Sequence, residues 1–195
     1  MATAVKSGAG NHSRQRILEA ATRVAQARGY GGLNFRDLAE EVGIKSASMY
    51  YHFPSKADLG AAVAKRYWED AAADLSAMQT STSDPLRCLH DYPGIFRKSL
   101  ERDNRLCLAS FMAAEYDDLP ELVKREVQTF ADVHVEWLAR MLCAASVVST
   151  GDSEHRARAI HAAVAGAQLL ARSRSDISLY DTLIESYRAA GLLPA

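Results

Sequence analysis

The segment from Phe35 to Pro54 constrains this chain more than any other. Two short stretches of helical apolar spacing, Phe35-Leu38-Ala39-Val42 and Ile44-Met49, meet at a single glycine, Gly43. Helices this short cross steeply only if the side chain at the crossing is small and the turn accepts a left-handed backbone. Ala39 meets the first condition and Gly43 the second. Ile44 and Met49 then fall on the inner side of the second helix, toward Leu38 and Val42, and Phe53 closes the unit against the preceding helix. Pro54 stops the second helix, because proline disfavours helical backbone at the residue before it. Lys45, Ser46, Ser48, Tyr51 and His52 are left facing mostly outward. An outward face of hydrogen-bond donors and aromatics suits a DNA major groove better than it suits bare solvent.

Helical spacing continues along the chain with no competing strand pattern, so the expected fold class is all-α, with about nine helices. Ile17, Leu18, Ala21, Val24 and Ala25 form a first apolar stripe, stopped by Gly29 and Gly31-Gly32, and Asn34 is placed to cap the next helix. Ser55-Lys56-Ala57-Asp58 has the form of a capping sequence and opens a long fourth helix, expected to reach Met78. A polar loop is expected over 79–84. Asp84-Pro85 starts a helix expected to run to Leu100, distorted at Tyr92-Pro93-Gly94. Further helices are expected at 104–116, 120–147, 153–173 and 177–190. Residues 1–12 read as a flexible arm, 13–60 as a helix-turn-helix DNA-binding head, and 61–195 as a body for ligand binding and dimerisation.

The formal charge of -1 hides a division. Residues 1–66 hold 10 basic and 5 acidic residues, whereas the remainder holds 13 basic and 19 acidic residues. A basic head on an acidic body fits a local surface for a polyanion. No uncharged apolar run approaches the roughly 18 residues that span a bilayer, and residues 1–10 lack the apolar stretch of a secretory leader. The expected setting is cytoplasmic, with no membrane partner. Cys88, Cys107 and Cys143 are too few and scattered for a disulfide framework and read as buried small hydrophobes. Cys107 beside Arg105 leaves a sensing thiol of lowered pKa as the alternative. With no Gly-rich phosphate loop, nucleophile elbow, metal-ligand pair or paired carboxylates, no catalytic residue, metal or cofactor is expected.

Chemistry divides the roles on the outward face. Ser46 and Ser48, near the end of the helix that enters the groove, suit base edges or phosphates, and Arg36 suits a guanine or a phosphate. Tyr50, Tyr51, His52 and Lys56 suit phosphate oxygens, Lys56 from the first turn of the fourth helix. The full expected DNA-binding set is Asn34, Arg36, Lys45, Ser46, Ala47, Ser48, Tyr50, Tyr51, His52 and Lys56. The alternative has one of the two tyrosines in the core and Lys56 merely solvated. The runs Ile17-Leu-Glu-Ala-Ala21, Arg28-Gly-Tyr-Gly-Gly32, Phe35-Arg-Asp-Leu-Ala39, Val42-Gly-Ile44 and Ser48-Met-Tyr-Tyr-His-Phe-Pro-Ser-Lys56 resemble the TetR/AcrR family of bacterial repressors, over about residues 13–63. The resemblance implies phosphate contacts at Tyr50 and Lys56, and positions near bases at Arg36, Ser46, Ala47 and Ser48. Lys45-Ser46 stands where many members have serine then lysine, and Ala47 replaces a frequent glycine, so base preference does not carry over.

The resemblance also implies later helices that bind a small-molecule inducer and form a homodimer. Val123, Val127, Phe130, His134, Trp137 and Met141 lie on one face of the longest expected helix. Trp68, Phe96, Cys107, Phe111, His134 and Trp137 are the expected pocket lining, with His134 as its polar handle. The competing reading makes this stripe ordinary core. His161 to Gln168 is dense in small residues, and Val164, Ala167, Leu170, Tyr180, Leu183, Ile184 and Tyr187 are the expected dimer interface about a two-fold axis. Completion of the monomer core is the alternative there. The expected function is a ligand-responsive regulator, a repressor, that binds a palindromic double-stranded DNA operator as a dimer and is released by its inducer.

Overall fold

The computed structural model describes residues 3–194 as ten α-helices and one 3-10 turn, with no strand among the described residues. The helices are α1 (Thr3–Arg28), α2 (Phe35–Val42), α3 (Ser46–His52), α4 (Lys56–Ser81), α5 (Pro85–Asp91), α6 (Pro93–Glu101), α7 (Leu108–Ala114), α8 (Glu121–Ala144), α9 (Ser153–Arg174) and α10 (Ile177–Ala189), with the 3-10 turn at Tyr116–Asp118. The additional helix arises at Tyr92-Pro93. Tyr92 keeps helical angles, but Pro93 has no N–H to donate, and the expected helix divides into α5 and α6 there.

Several boundaries differ from expectation for local reasons. From Thr3 onward the expected arm is helix, as a nucleated helix extends at little cost per residue, while Met1 and Ala2 lie outside the described residues. Helix α4 runs past Met78 to Ser81, and in this last turn the Thr80 and Ser81 hydroxyls donate to the carbonyls of Ser76 and Met78. Helix α7 starts late. Asp103 and Asn104 adopt positive φ, and the Asn104 amide turns away to donate to the Arg172 carbonyl at 3.0 Å and to Ser175 Oγ at 3.1 Å. Helix α8 stops at Ala144, with Ser146 also at positive φ.

Two apolar cores hold the molecule. The first joins Ile17, Leu18 and Ala21 of α1 to Leu38 and Val42 of α2, Met49 of α3 and Leu59 and Val63 of α4. It is completed by Leu108, Met112, Leu119, Val123 and Val127, so the head shares its core with residues far along the chain. The second core lies within the body, where α8 packs along α4 and α9, and α10 packs on α9 and α6. Half-buried Tyr67 of α4 touches both cores. Among the described residues no helix is long and apolar enough to cross a membrane.

Candidate nucleic-acid interface and ligand cleft

The N-terminal unit is built by short-range chemistry. Asn34 Oδ1 accepts from the N–H groups of Arg36 and Asp37 at 2.8 and 3.3 Å and so starts α2. Gly43 ends α2 at φ 73°, with its own N–H on the Glu40 carbonyl and the Ile44 N–H on the Ala39 carbonyl. The Arg16 guanidinium of α1 donates to the Val42 carbonyl at the same helix end. Met49 is wholly buried between α2 and α1, Ile44 packs against the same core, and Phe53 is buried with the Arg14 guanidinium 5.1 Å from its ring centre. Ser55 Oγ accepts from the Asp58 N–H at 3.2 Å and starts α4.

With its inner side filled, α3 turns its remaining side chains outward. Tyr51 is 84% exposed and Tyr50 60%, which removes both from the core. Tyr50 leans on Phe35, 4.9 Å between ring centres, and Tyr51 on His52 at 5.1 Å. Arg36, Lys45, Ser46 and Ala47 are exposed, and Ser48 and His52 half-buried. No side chain of α3 is acidic. Two of the expected residues carry structural duties as well. Asn34 spends its carbonyl oxygen on the α2 cap, and the Lys56 ammonium donates to the Gly31 carbonyl at 3.1 Å, 4.7 Å from the Tyr30 ring centre.

The body contains a cleft of about 460 Å³ between α1, α4, α6 and α8. Its floor is apolar, from Tyr67, Phe96, Cys107 and Phe130, and its mouth carries Asp70 and Asp74 on one side and Lys98, Arg102 and Arg105 on the other. Of the expected lining, only Phe96 and Cys107 are in this cleft. Trp68 donates instead to Glu126 at 2.8 Å, and Phe111 lies half-buried beneath Arg172, 5.2 Å away. His134 and Trp137 are buried in the body core, because the face of α8 that carries them packs between α4 and α9. Cys107 is buried, and burial raises its thiol pKa, which disfavours the thiolate a sensing cysteine needs. Cys88 is buried and its thiol pKa likewise raised, whereas Cys143 is half-buried.

The polar handle on α8 belongs to a closed cluster. The Tyr92 hydroxyl lies 3.1 Å from His134 Nδ1 and 3.0 Å from His161 Nδ1. One phenolic proton serves one imidazole, so the other imidazole donates its own N–H to the phenol oxygen. Burial lowers the pKa to about 3 for His134, with His161 adding to the effect, and to about 4 for His161. Both rings are neutral near pH 7. Neither Tyr92 nor His161 was signalled by the sequence, since their meeting joins residues 69 positions apart.

Much of the expected dimer surface is interior to the single chain. Val164, Ala167, Tyr180 and Ile184 are buried, and the Tyr180 hydroxyl donates to the Pro93 carbonyl at 2.7 Å. These residues occupy the sides of α9 and α10 that pack on α8 and α6, so they complete the monomer core. Leu183 and Tyr187 are half-buried. Leu170, 50% exposed, and its neighbour Leu169, 56% exposed, lie on the outer side of α9 with Ala162 and Gly166.

Two short packed helices joined at a left-handed glycine, presenting a polar and aromatic face on an all-helical scaffold, define a helix-turn-helix DNA-binding protein. The comparisons agree. Residues 17–63 match the family described as "Bacterial regulatory proteins, tetR family". LmrA, an HTH-type transcriptional regulator of Bacillus subtilis, is 48% identical over 42 residues, 22% of this chain and 22% of that protein. KstR2, an HTH-type transcriptional repressor of Mycobacterium tuberculosis, is 32% identical over 95 residues, 49% of this chain and 46% of that protein. The chain thus matches less than half the length of these two curated relatives. Over a longer span, a TetR-family regulator from Agrobacterium tumefaciens superposes with a TM-score of 0.83 at 29% identity, covering 89% of this chain and 94% of the other. Residues 17–63 thus carry the match to the TetR family, and the chain as a whole is similar in fold to TetR-family transcriptional regulators.

Proposed function

We propose that this regulator is a ligand-responsive repressor that binds a palindromic operator as a homodimer and releases it when a small molecule occupies the body. In this reading residues 13–60 bind DNA, residues 61–195 bind ligand and dimerise, and the protein works in the cytoplasm. The observation that carries it is the division of α3: Met49 buried on one side, Tyr50, Tyr51, Lys45 and Ser46 open on the other. A helix so divided offers donors and aromatic edges to a groove while its register stays locked by the core. Pairing through the exposed side of α9, around Leu169 and Leu170, would present two such helices. Half-sites one helical turn apart, about 34–36 Å, are what such a pair reads.

The cleft supports the ligand-responsive half of the reading. Thr22 and Gln26 of α1 line it together with α6 residues, so an occupant touches head and body at once. An occupant that fits one arrangement of α1 against α6 better than another shifts the population between them by that difference in affinity. Selection of random duplexes by the purified protein is the test. Enrichment of an inverted repeat bound by two chains is expected, and enrichment of no duplex at low salt removes the proposal.

A further inference from the structure

The turn between α1 and α2 is gripped by two charged side chains, one of them from outside the head. Glu115, the residue that follows α7, is half-buried and reaches across 85 positions of sequence. Its Oε2 accepts the Tyr30 N–H at 2.6 Å and its Oε1 accepts the Gly31 N–H at 3.2 Å. On the other side of the same residue, the Gly31 carbonyl accepts from the Lys56 ammonium at 3.1 Å. The turn is shaped around the carboxylate. Gly29 sits at φ 69°, and a Cβ there would overlap the Glu115 carboxyl group. Tyr30 is pinned in turn, since a Cβ on Gly60 of α4 would come within 2.6 Å of its ring.

Helix α7, which Glu115 follows, is itself anchored. At the opposite end of α7 the Cys107 N–H donates to Gln168 Oε1 at 3.0 Å, and Gln168 Nε2 donates to the Phe96 carbonyl at 2.6 Å, all buried. Met112 and Leu108 of α7 are fully buried in the head's own core. A charged acceptor on a fixed short helix, aimed at two adjacent backbone donors, defines orientation more tightly than apolar contact does, because both bonds lengthen when the turn rotates.

We infer that Glu115 is a positioning residue for operator binding, fixing the angle at which the head, and with it α3, stands on the body. The inference rests on the proposed DNA-binding dimer, in which both heads must meet their half-sites together. An angular error leaves each head able to bind a single half-site and costs the pair its simultaneous engagement.

The test compares Glu115→Ala and Glu115→Gln with the unaltered protein. Amide exchange at Tyr30 and Gly31 is followed by mass spectrometry or NMR. Affinity is measured for a full palindrome recovered by the unaltered protein and for a duplex carrying one half-site. The expected result for Glu115→Ala is faster exchange at those two amides and a loss of about tenfold or more on the palindrome, with half-site affinity unchanged. Glu115→Gln, which keeps one acceptor oxygen and turns an N–H₂ toward the second donor, should fall between the two and serves if the alanine variant folds poorly. Unchanged palindrome affinity despite faster exchange overturns the inference, and so does an equal loss on both duplexes, which marks a general loss of structure. If the unaltered protein recovers no palindrome, the DNA-binding reading itself fails, whereas the exchange data still decide whether the carboxylate holds the turn.

Discussion

Met49 and Tyr51 stand two residues apart on α3 and meet opposite environments, one wholly buried and the other 84% exposed. Substitution should separate stability from binding at these two positions. Met49→Ala removes a side chain from a closed core and should cost about 2–5 kcal/mol, read by chemical denaturation. Tyr51→Ala should change stability by less than about 0.5 kcal/mol while weakening operator binding by about 1–3 kcal/mol if the ring or hydroxyl contacts DNA. Unaltered binding by the Tyr51 variant would remove that residue from the interface. Cys107 makes a further residue-level case. Buried, with its thiol pKa raised, it should resist thiol-labelling reagents in the folded protein and react only after denaturation. Fast labelling under native conditions would reopen a sensing role. From sequence, the neighbouring Arg105 was a reason to expect the opposite shift; enclosure of the sulfur by packed side chains outweighed it.

At the scale of elements, the boundaries set by nearby residues were legible in advance. Asn34, Ser55 and Asp84 each cap the helix that follows through N–H groups two or three residues on, so the signal and its partner share one stretch of sequence. Gly43 was legible for the same reason. Gly43→Ala should destabilise by about 1 kcal/mol or somewhat more, from backbone strain alone, because a Cβ at this glycine meets nothing within 4 Å. An alanine variant of native stability would mean the turn has another comfortable conformation. Helix α7 was misplaced because its start depends on Asn104 bonding to the end of α9, 68 positions away, which no local pattern encodes. Which side of α9 faces out was likewise undecidable from spacing, since apolar residues lie on both sides. On the proposed pairing through the outer side of α9, Leu169→Asp combined with Leu170→Asp should shift the protein toward monomer in sedimentation while its helical content stays intact. A dimer that survives both charges must pair elsewhere.

The molecule as a whole carries a dependence on pH that follows from one buried cluster. His134 and His161 titrate near 6.5 in an unfolded chain and at about 3 and about 4 in the folded one. Below pH 6.5 the unfolded chain thus binds protons that the native cluster excludes. Stability should be insensitive to these groups above about pH 7 and should fall as pH drops from about 6.5 toward 4, by at most about 1.4 kcal/mol per pH unit for each imidazole. Urea denaturation at pH 7, 6 and 5 measures the slope, and His134→Leu should flatten it. An identical slope in that variant would place the acid sensitivity in other groups. The same cluster shows how a site escapes sequence reading: His134 was visible on the stripe of α8, but its partners come from α5–α6 and α9, so what read as a pocket handle is an interior hydrogen-bond acceptor or donor.

The sequence alone determined the helical class, the short pair α2–α3 joined at Gly43 and the outward face of α3, because periodicity, caps and a left-handed glycine act within a few residues of one another. Tertiary structure decided the rest. It alone placed the cleft between α1 and α6, buried four of the residues expected at the dimer surface, and brought Glu115 to the Tyr30–Gly31 backbone. Which of two apolar helix sides is covered, and which distant carboxylate meets a turn, depends on how whole helices pack, and packing is a property of all the side chains together.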